Sequence, residues 1–274
     1  MIFADMRGTK VPALGFGTWQ LTGGTCEHAV AAALEIGYRH IDTAQVYENE
    51  AEVGRAIAGS KLARSDIFLT TKVWMASLAG PKVAPSVEQS LRKLRTDYVD
   101  LLLIHWPNAE VPLAETLDAF AKLKSAGKVR HIGVSNFTVA LMEEAVGKLG
   151  KDIACNQVEY HLLLSQTPVL DHARKHGIVV TAYCPLARGK LAGNAVAERV
   201  ARKHGKSLSQ VALRWLVEQK GVTAIPRTST EKHARENFDI FDFELDAEDR
   251  RALDALPAKG RVVNPGWSPD WDAA

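Results

Sequence analysis

The chain has 274 residues, 46% of them apolar and 24% charged, the mix of an ordinary globular protein able to bury a large core. Its 34 Lys and Arg against 32 Asp and Glu leave a net charge of +2 with no basic run, which speaks against an electrostatic nucleic-acid binder. The longest apolar stretch, 99–104, falls far short of the ~18 residues of a membrane helix. Asp5 interrupts the N-terminus before any signal-peptide core can form. Cys26, Cys155 and Cys184 are odd in number and widely spaced, so neither a disulfide framework nor a metal site is expected. A reducing cytoplasm is the simplest home, and a monomer is the default.

In chain order, residues 2–5 and 10–12 around Arg7-Gly8 read as a small hairpin. Short apolar runs then alternate with helix-periodic stretches. Strands are predicted at 14–17, 40–42, 67–73, 99–104, 129–134, 154–158, 179–183 and 224–226. Helices are predicted at 26–37, 49–59, 81–95, 113–126, 138–148, 168–176, 193–219 with a break, and 231–238. Leu208, Val211, Ala212 and Trp215 form one apolar helix face, opened by a Ser207/Gln210 capping box. Eight strand-then-helix units imply right-handed crossovers and a parallel sheet, and they fit an α/β fold of the (β/α)8 TIM-barrel type in a single domain, 1–274. The hairpin would plug the barrel's bottom. After Leu256 the prolines and glycines exclude a regular helix, yet Trp267 and Trp271 supply two large rings, so this irregular tail either packs down or forms a lid.

Several motifs fail on inspection. Gly205-Lys206-Ser207 lacks the earlier glycine of a P-loop, since position 200 is Val. The segment 133–137, Gly-Val-Ser-Asn-Phe, ends in Phe where a nucleophile elbow needs Gly. His161, His172, His176 and His204 lack ligand spacing.

Barrel chemistry sits where strands end. The second predicted strand ends at Asp42, the third near Lys72, and the fourth just before His105; Tyr47 follows the second. A free phenol with a pKa of about 10 donates protons poorly near neutrality. A neighbouring ammonium favours its ionised form, while burial opposes it. Asp42 can hold that ammonium charged, and His105 can orient a carbonyl oxygen by a ring N–H. Such a set polarises a carbonyl and protonates the alkoxide. Taken alone, Lys72 also suits an imine-forming lyase.

The segments 37–50 (Gly-Tyr-Arg-His-Ile-Asp-Thr-Ala-Gln-Val-Tyr-Glu-Asn-Glu), 100–107 (Asp-Leu-Leu-Leu-Ile-His-Trp-Pro), 133–137 and 225–229 (Ile-Pro-Arg-Thr-Ser) occur in one order along nearly the whole chain. In this the sequence resembles the aldo-keto reductase family, NAD(P)H-dependent carbonyl reductases on a (β/α)8 barrel, and in particular short-loop bacterial members of the 2,5-diketogluconate reductase type. The resemblance implies Tyr47 as general acid, Lys72 as the partner that lowers its pKa, Asp42 as the anion of Lys72, and His105 as carbonyl orienter. It implies Ser135, Asn136 and Gln157 on the nicotinamide carboxamide and Tyr183 stacked on the ring. Thr18, Trp19, Asp42, Pro185 and Leu186 complete the implied contacts at that end of the cofactor. Cys184 stands where the family usually has Ser. Trp19, Tyr47, Trp74, His105, Trp106 and Trp267 would wall the substrate pocket, with Trp271 closing it from the tail.

The resemblance places the adenosine phosphate by Arg227, Thr228, Ser229, Thr230, His233, Glu236 and Asn237. A cation, hydroxyls and a helix start are good phosphate chemistry. The family's usual Arg at 233 is His here, mostly neutral at pH 7, which removes one cation. NADPH is the expected cofactor, with more NADH use than usual, and a small carbonyl is the expected substrate. A cofactor-binding regulatory or structural protein with little turnover stands as the alternative.

Overall fold

The structure is a computed structural model that describes residues 1–258 and 260–273. The predicted tail therefore includes two residues, Lys259 and Ala274, that lie outside the described ones. Two antiparallel strands, β1 (Phe3–Met6) and β2 (Thr9–Pro12), precede an eight-stranded parallel sheet. Its strands are β3 (Phe16–Gly17), β4 (His40–Asp42), β5 (Phe68–Val73), β6 (Val99–Ile104), β7 (Val129–Ser135), β8 (Ile153–Glu159), β9 (Val179–Tyr183) and β10 (Val222–Ala224), each paired with its sequence neighbour. Backbone bonds close the ring: Ala224 N–H to Ala13 O at 2.7 Å, Gly15 N–H to Ala224 O at 2.8 Å, and Gly17 N–H to Pro226 O at 3.0 Å.

The helices are α1 (Gly23–Ile36), α2 (Glu50–Gly59), α3 (Gly80–Leu94), α4 (Leu113–Ser125), α5 (Val139–Leu149), α6 (Thr167–His176), α7 (Ala195–His204), α8 (Leu208–Val217), α9 (Glu231–Phe238) and α10 (Ala247–Asp254). Gly205 in the left-handed conformation ends α7, and the Ser207/Gln210 capping box starts α8, which is where the long predicted helix breaks. The predicted stripe of α8 packs against α7, while Leu213, Leu216 and Val217 pack with the barrel core. Sequence reading missed α10. Its segment is too charged for an apolar stripe, and the Asp246/Asp249 capping box was the available signal. Among the described residues no strand or helix follows Asp254, as the prolines and glycines of the tail require. No helix among them is long and apolar enough to cross a membrane.

Alternation along the strands decides what faces where. In β6, Leu101 and Leu103 point into the barrel, while Leu102 and Ile104 join the layer under the helices. Ala4, Met6 and Val11 of the hairpin meet Phe68, Leu101 and Val179 at the starts of the barrel strands, so the hairpin does seal the bottom. Gly133 is required by the same interior: a Cβ there would lie 2.6 Å from Leu103 Cδ2 and 2.7 Å from Cys155 O. Packed apolar layers thus fill much of the lower barrel, His40 and His131 are tied there to Pro12 O and Thr9 of the hairpin end, and the charged inward residues lie near the upper strand ends.

Candidate active site

Following the inward parity upward places the site. In β5, Phe68, Thr70 and Lys72 share the inner face; in β4 it is His40 and Asp42; in β8 it is Cys155, Gln157 and Glu159. Asp42 and Lys72 are fully buried, each near 0% exposed. Lys72 Nζ donates to Asp42 Oδ1 at 2.5 Å, to Thr43 O at 2.9 Å and to the Tyr47 hydroxyl at 3.4 Å. Gln157 Nε2 donates to the other oxygen of Asp42 at 2.7 Å. All three ammonium hydrogens are therefore engaged and the nitrogen has no exposed surface. A carbonyl carbon has no approach to it, which removes the imine-forming alternative.

Tyr47 ends a 3-10 turn, Gln45–Tyr47, after β4. Sequence reasoning overlooked what fixes that turn. Asn49, fully buried, donates to Thr18 O and Leu21 O and accepts from the Thr43 hydroxyl. Gln45 accepts from Trp74 N–H at 3.0 Å, which seats the tryptophan over the site. Both lie inside the segment that carried the family resemblance, and buried amide side chains with several bonds were the clue. The His105 ring packs edge-on against Tyr47 (5.5 Å between centroids) and Trp74 (5.3 Å). Its Nδ1 is buried without a hydrogen-bond partner.

Burial sets the protonation of the group. It pushes the Tyr47 phenol well above its ordinary value, with the Asp42 charge acting the same way. This reverses the net lowering expected from the neighbouring ammonium: loss of water around a phenolate outweighs attraction at 3.4 Å. Burial also lowers the Lys72 ammonium, against the pull of Asp42. His105 is held well below the ordinary histidine range by burial first and Lys72 second, so its ring is neutral.

These groups border a cavity of about 900 Å3 at the C-terminal ends of the strands. The structure brings Thr18, Trp19, Asp42, Tyr47, Trp74, His105 and Trp106 onto its wall, with Ser135, Asn136, Gln157, Tyr183, Pro185, Leu186, Arg227 and Trp267. Lys72 sits behind that wall. Ser135 Oγ donates to Gln157 O at 2.8 Å, Asn136 Nδ2 donates to His105 O at 2.9 Å, and Tyr183 O–H donates to Asn136 Oδ1 at 2.7 Å. Asn136 takes the left-handed conformation, φ 63°, that turns the chain at the end of β7. Cys184 and Arg188, not singled out as contacts from sequence, also line the cavity, as do Val262 to Pro265 of the tail.

Other expected contacts lie away from the cavity wall. Thr228, Ser229, Thr230, His233, Glu236 and Asn237 occupy the loop after β10 and helix α9. Thr230 caps α9 by accepting from His233 N–H, and Arg235 pairs with Glu231 at 2.6 Å on the exposed side of the same helix. Arg227 reaches back across the cleft to Trp19 O at 2.9 Å and Gln20 Oε1 at 3.2 Å. Trp271 does not face the cavity. It packs against Trp106 with centroids 6.1 Å apart and under the Arg261 guanidinium at 3.8 Å, a prop for the wall and not a part of it.

A closed parallel barrel with its polar inward residues gathered at the upper rim is the layout of (β/α)8 enzymes, and the chain falls in that class. Within it, the chain belongs to the aldo/keto reductase family, whose model matches residues 13–258. It is 44% identical to methylglyoxal reductase DkgB of Escherichia coli O157:H7 over 96% of this chain and 99% of that protein. It is 42% identical to glyoxal reductase of Bacillus subtilis over 96% and 94% respectively. A crystal structure provisionally named 2,5-diketo-D-gluconic acid reductase B superposes with a TM-score of 0.97 at 49% identity, covering 100% of this chain and 98% of that one.

Proposed function

We propose that this protein reduces small aldehydes and ketones, 2-oxoaldehydes of the methylglyoxal and glyoxal kind among them, using NADPH in preference to NADH. One observation carries the reading. The Tyr47 hydroxyl faces the cavity 3.4 Å from the Lys72 ammonium, which is paired with Asp42, and stands beside the His105 ring. The 2-oxoaldehyde class comes from the names of the relatives.

The residues fit a nicotinamide dinucleotide. The cavity is far larger than a two- or three-carbon carbonyl needs and lies in the range that takes drug-sized ligands. Ser135 offers a hydroxyl and Asn136 and Gln157 offer amides to a carboxamide, and the Tyr183 ring gives a flat face beside them. Arg227 and the N-terminus of α9 favour an anion at the far end. When bound, the reduced nicotinamide supplies a hydride to the carbonyl carbon.

The chain's own residues do the rest. The neutral His105 ring orients the carbonyl oxygen. Tyr47, kept protonated by burial, gives its proton to that oxygen as negative charge develops, and the C–O bond becomes an alcohol. The phenolate left behind faces the Lys72 ammonium, which Asp42 keeps in place, and takes a proton back from solvent through the open cavity. Trp74, Trp106 and Trp267 limit water and confine the substrate to a narrow slot.

The test is cofactor oxidation with a panel of small carbonyls. Tyr47→Phe should lower kcat by about 10²–10⁴-fold while NADPH binding is retained. Wild-type protein that binds NADPH but turns over none of the panel would instead favour the regulatory alternative.

A further inference from the structure

One side of the cavity is bounded by chain that belongs to no helix or strand: Val262, Val263, Asn264, Pro265 and Trp267. Such a wall needs an anchor, and a carboxylate supplies one. Glu159 is the last residue of β8, inward-facing two positions beyond Gln157, and its side chain is 0% exposed. Its Oε1 accepts Val262 N–H at 2.6 Å and its Oε2 accepts Val263 N–H at 2.9 Å. His161 Nε2 lies 2.9 Å from Oε1, and the Arg261 guanidinium 3.9 Å from Oε2.

Elsewhere among the described residues, Gly260 N–H bonds to Leu163 O, and Val139 N–H bonds to Asp272. Those contacts bracket the wall segment; within it the Trp271 indole N–H donates to Asn264 Oδ1 at 2.7 Å and the Trp267 ring meets Trp74 edge-on at 6.2 Å, but among the described residues the hydrogen bonds from the barrel to its backbone are the two to Glu159. The dependence runs both ways. A buried carboxylate is costly unless its oxygens are bonded, and here the tail provides two of the donors. Two successive N–H groups in an irregular segment also need an acceptor, and no ladder is there to provide it. Glu159 itself does not line the cavity.

We propose that Glu159 is a positioning residue: it clips residues 262–267 into the cavity wall and so sets affinity for the carbonyl substrate without touching it. The kinetic side of this rests on the reductase reading above; the structural side does not. Tyr47, Lys72 and His105 come from other elements, so the chemical step should be spared.

The experiment compares full-length wild type with Glu159→Gln by hydrogen exchange at amides 262 and 263, NADPH affinity, and methylglyoxal kinetics. The amide side chain keeps the volume, loses the charge and sets an NH2 group against an N–H donor. In the wild type both amides should be protected. In the variant they should exchange at least about tenfold faster, and KM should rise about tenfold, with kcat and the NADPH Kd within about twofold. If the glutamine variant does not fold, Glu159→Asp takes its place, since it keeps the charge and draws it back by one methylene. Wild-type amides that exchange as in free chain overturn the proposal. So does a loosened tail with unchanged KM, and so does a loss shared equally by kcat, KM and cofactor binding. A wild type that reduces no carbonyl refutes the reductase reading, and the exchange measurement then decides the clip alone.

Discussion

Replacing Lys72 with Met tests the centre of the site because it separates a stability effect from a chemical one. An ammonium 3.4 Å from a phenolate is worth about 5 kcal/mol at an effective dielectric of 20. That is roughly 3.5 pKa units on the acid, an upper bound on what its removal withdraws as negative charge develops on the phenol. The expected loss in kcat for Lys72→Met is therefore about 10²–10⁴-fold. The same change leaves Asp42 buried with the Gln157 amide as its remaining side-chain donor. Breaking one side of a buried pair costs about 3–5 kcal/mol, and the Gln157 bond keeps the figure toward the lower end. For a chain of this size that means a fall in Tm of roughly 6–15 °C. The double variant Asp42→Asn/Lys72→Met removes the stranded charge and should regain part of the lost Tm while staying inactive. Steady-state turnover and thermal unfolding of the three variants measure both effects. A Lys72→Met enzyme within about threefold of wild-type kcat, or a double variant less stable than either single one, would refute the reasoning.

Three further outcomes follow from the same geometry. His233→Arg should restore a cation beside the start of α9 and raise the NADPH:NADH ratio of kcat/KM several-fold, about one charge-assisted hydrogen bond's worth, while Arg227→Ala should lower it; an NADH preference above about tenfold in the wild type would overturn the cofactor assignment. Denaturant titrations should show a stability plateau between about pH 6.5 and 8.5. Burial holds His40 and His105 below their ordinary range, so the unfolded chain takes up protons first and stability is lost as pH falls below that plateau. Burial raises Cys26, Cys155 and Tyr160 to about 12 and holds Tyr38, Tyr47 and Tyr183 above their ordinary range, so stability is full below the free thiol value of about 8.5 and drains away as pH climbs past it and then past 10; a stability that still rises above pH 10 would contradict this. Gly133→Ala should destabilise by about 1–3 kcal/mol or more, since the new Cβ meets the backbone oxygen of Cys155 as well as a movable leucine; unfolding midpoints check it.

The barrel was legible because its signals are local and repeated. Strands such as 99–104 are apolar on both faces, helix stops such as Gly205 are explicit, and eight such units leave few alternatives. The segment containing α10 carries charge where an apolar stripe would mark a helix, so only its Asp246/Asp249 capping box announces it. Asp42, Tyr47, Lys72 and His105 were legible as strand-end residues. The sign of the phenol's pKa shift was not, because it depends on how much water is lost around Tyr47, and no spacing encodes that. Glu159 was missed for a related reason. A glutamate two positions after Gln157 looks like a solvated strand end until the tail, a hundred residues later, is seen to cover it.

The same feature of the barrel explains both the reach and the limit of sequence reasoning. Parity along a strand is a local property, so it puts Asp42, Lys72, Gln157 and Glu159 on the inner face before any coordinates are known. Depth is a global property. Whether an inward polar residue meets water, a partner or another segment depends on what the hairpin closes below and what the tail closes above. Leu101 and Leu103 share an apolar cluster with the hairpin and need no partner, whereas Lys72, in register with Leu103 and equally buried, needs three. A charge can therefore stand in this interior only where neighbouring strand ends present acceptors at the same height. That condition places the ion pair at the strand ends beneath the open mouth, within reach of the phenol, while the inward groups lower down, such as His40 and His131, are ones that can stay neutral.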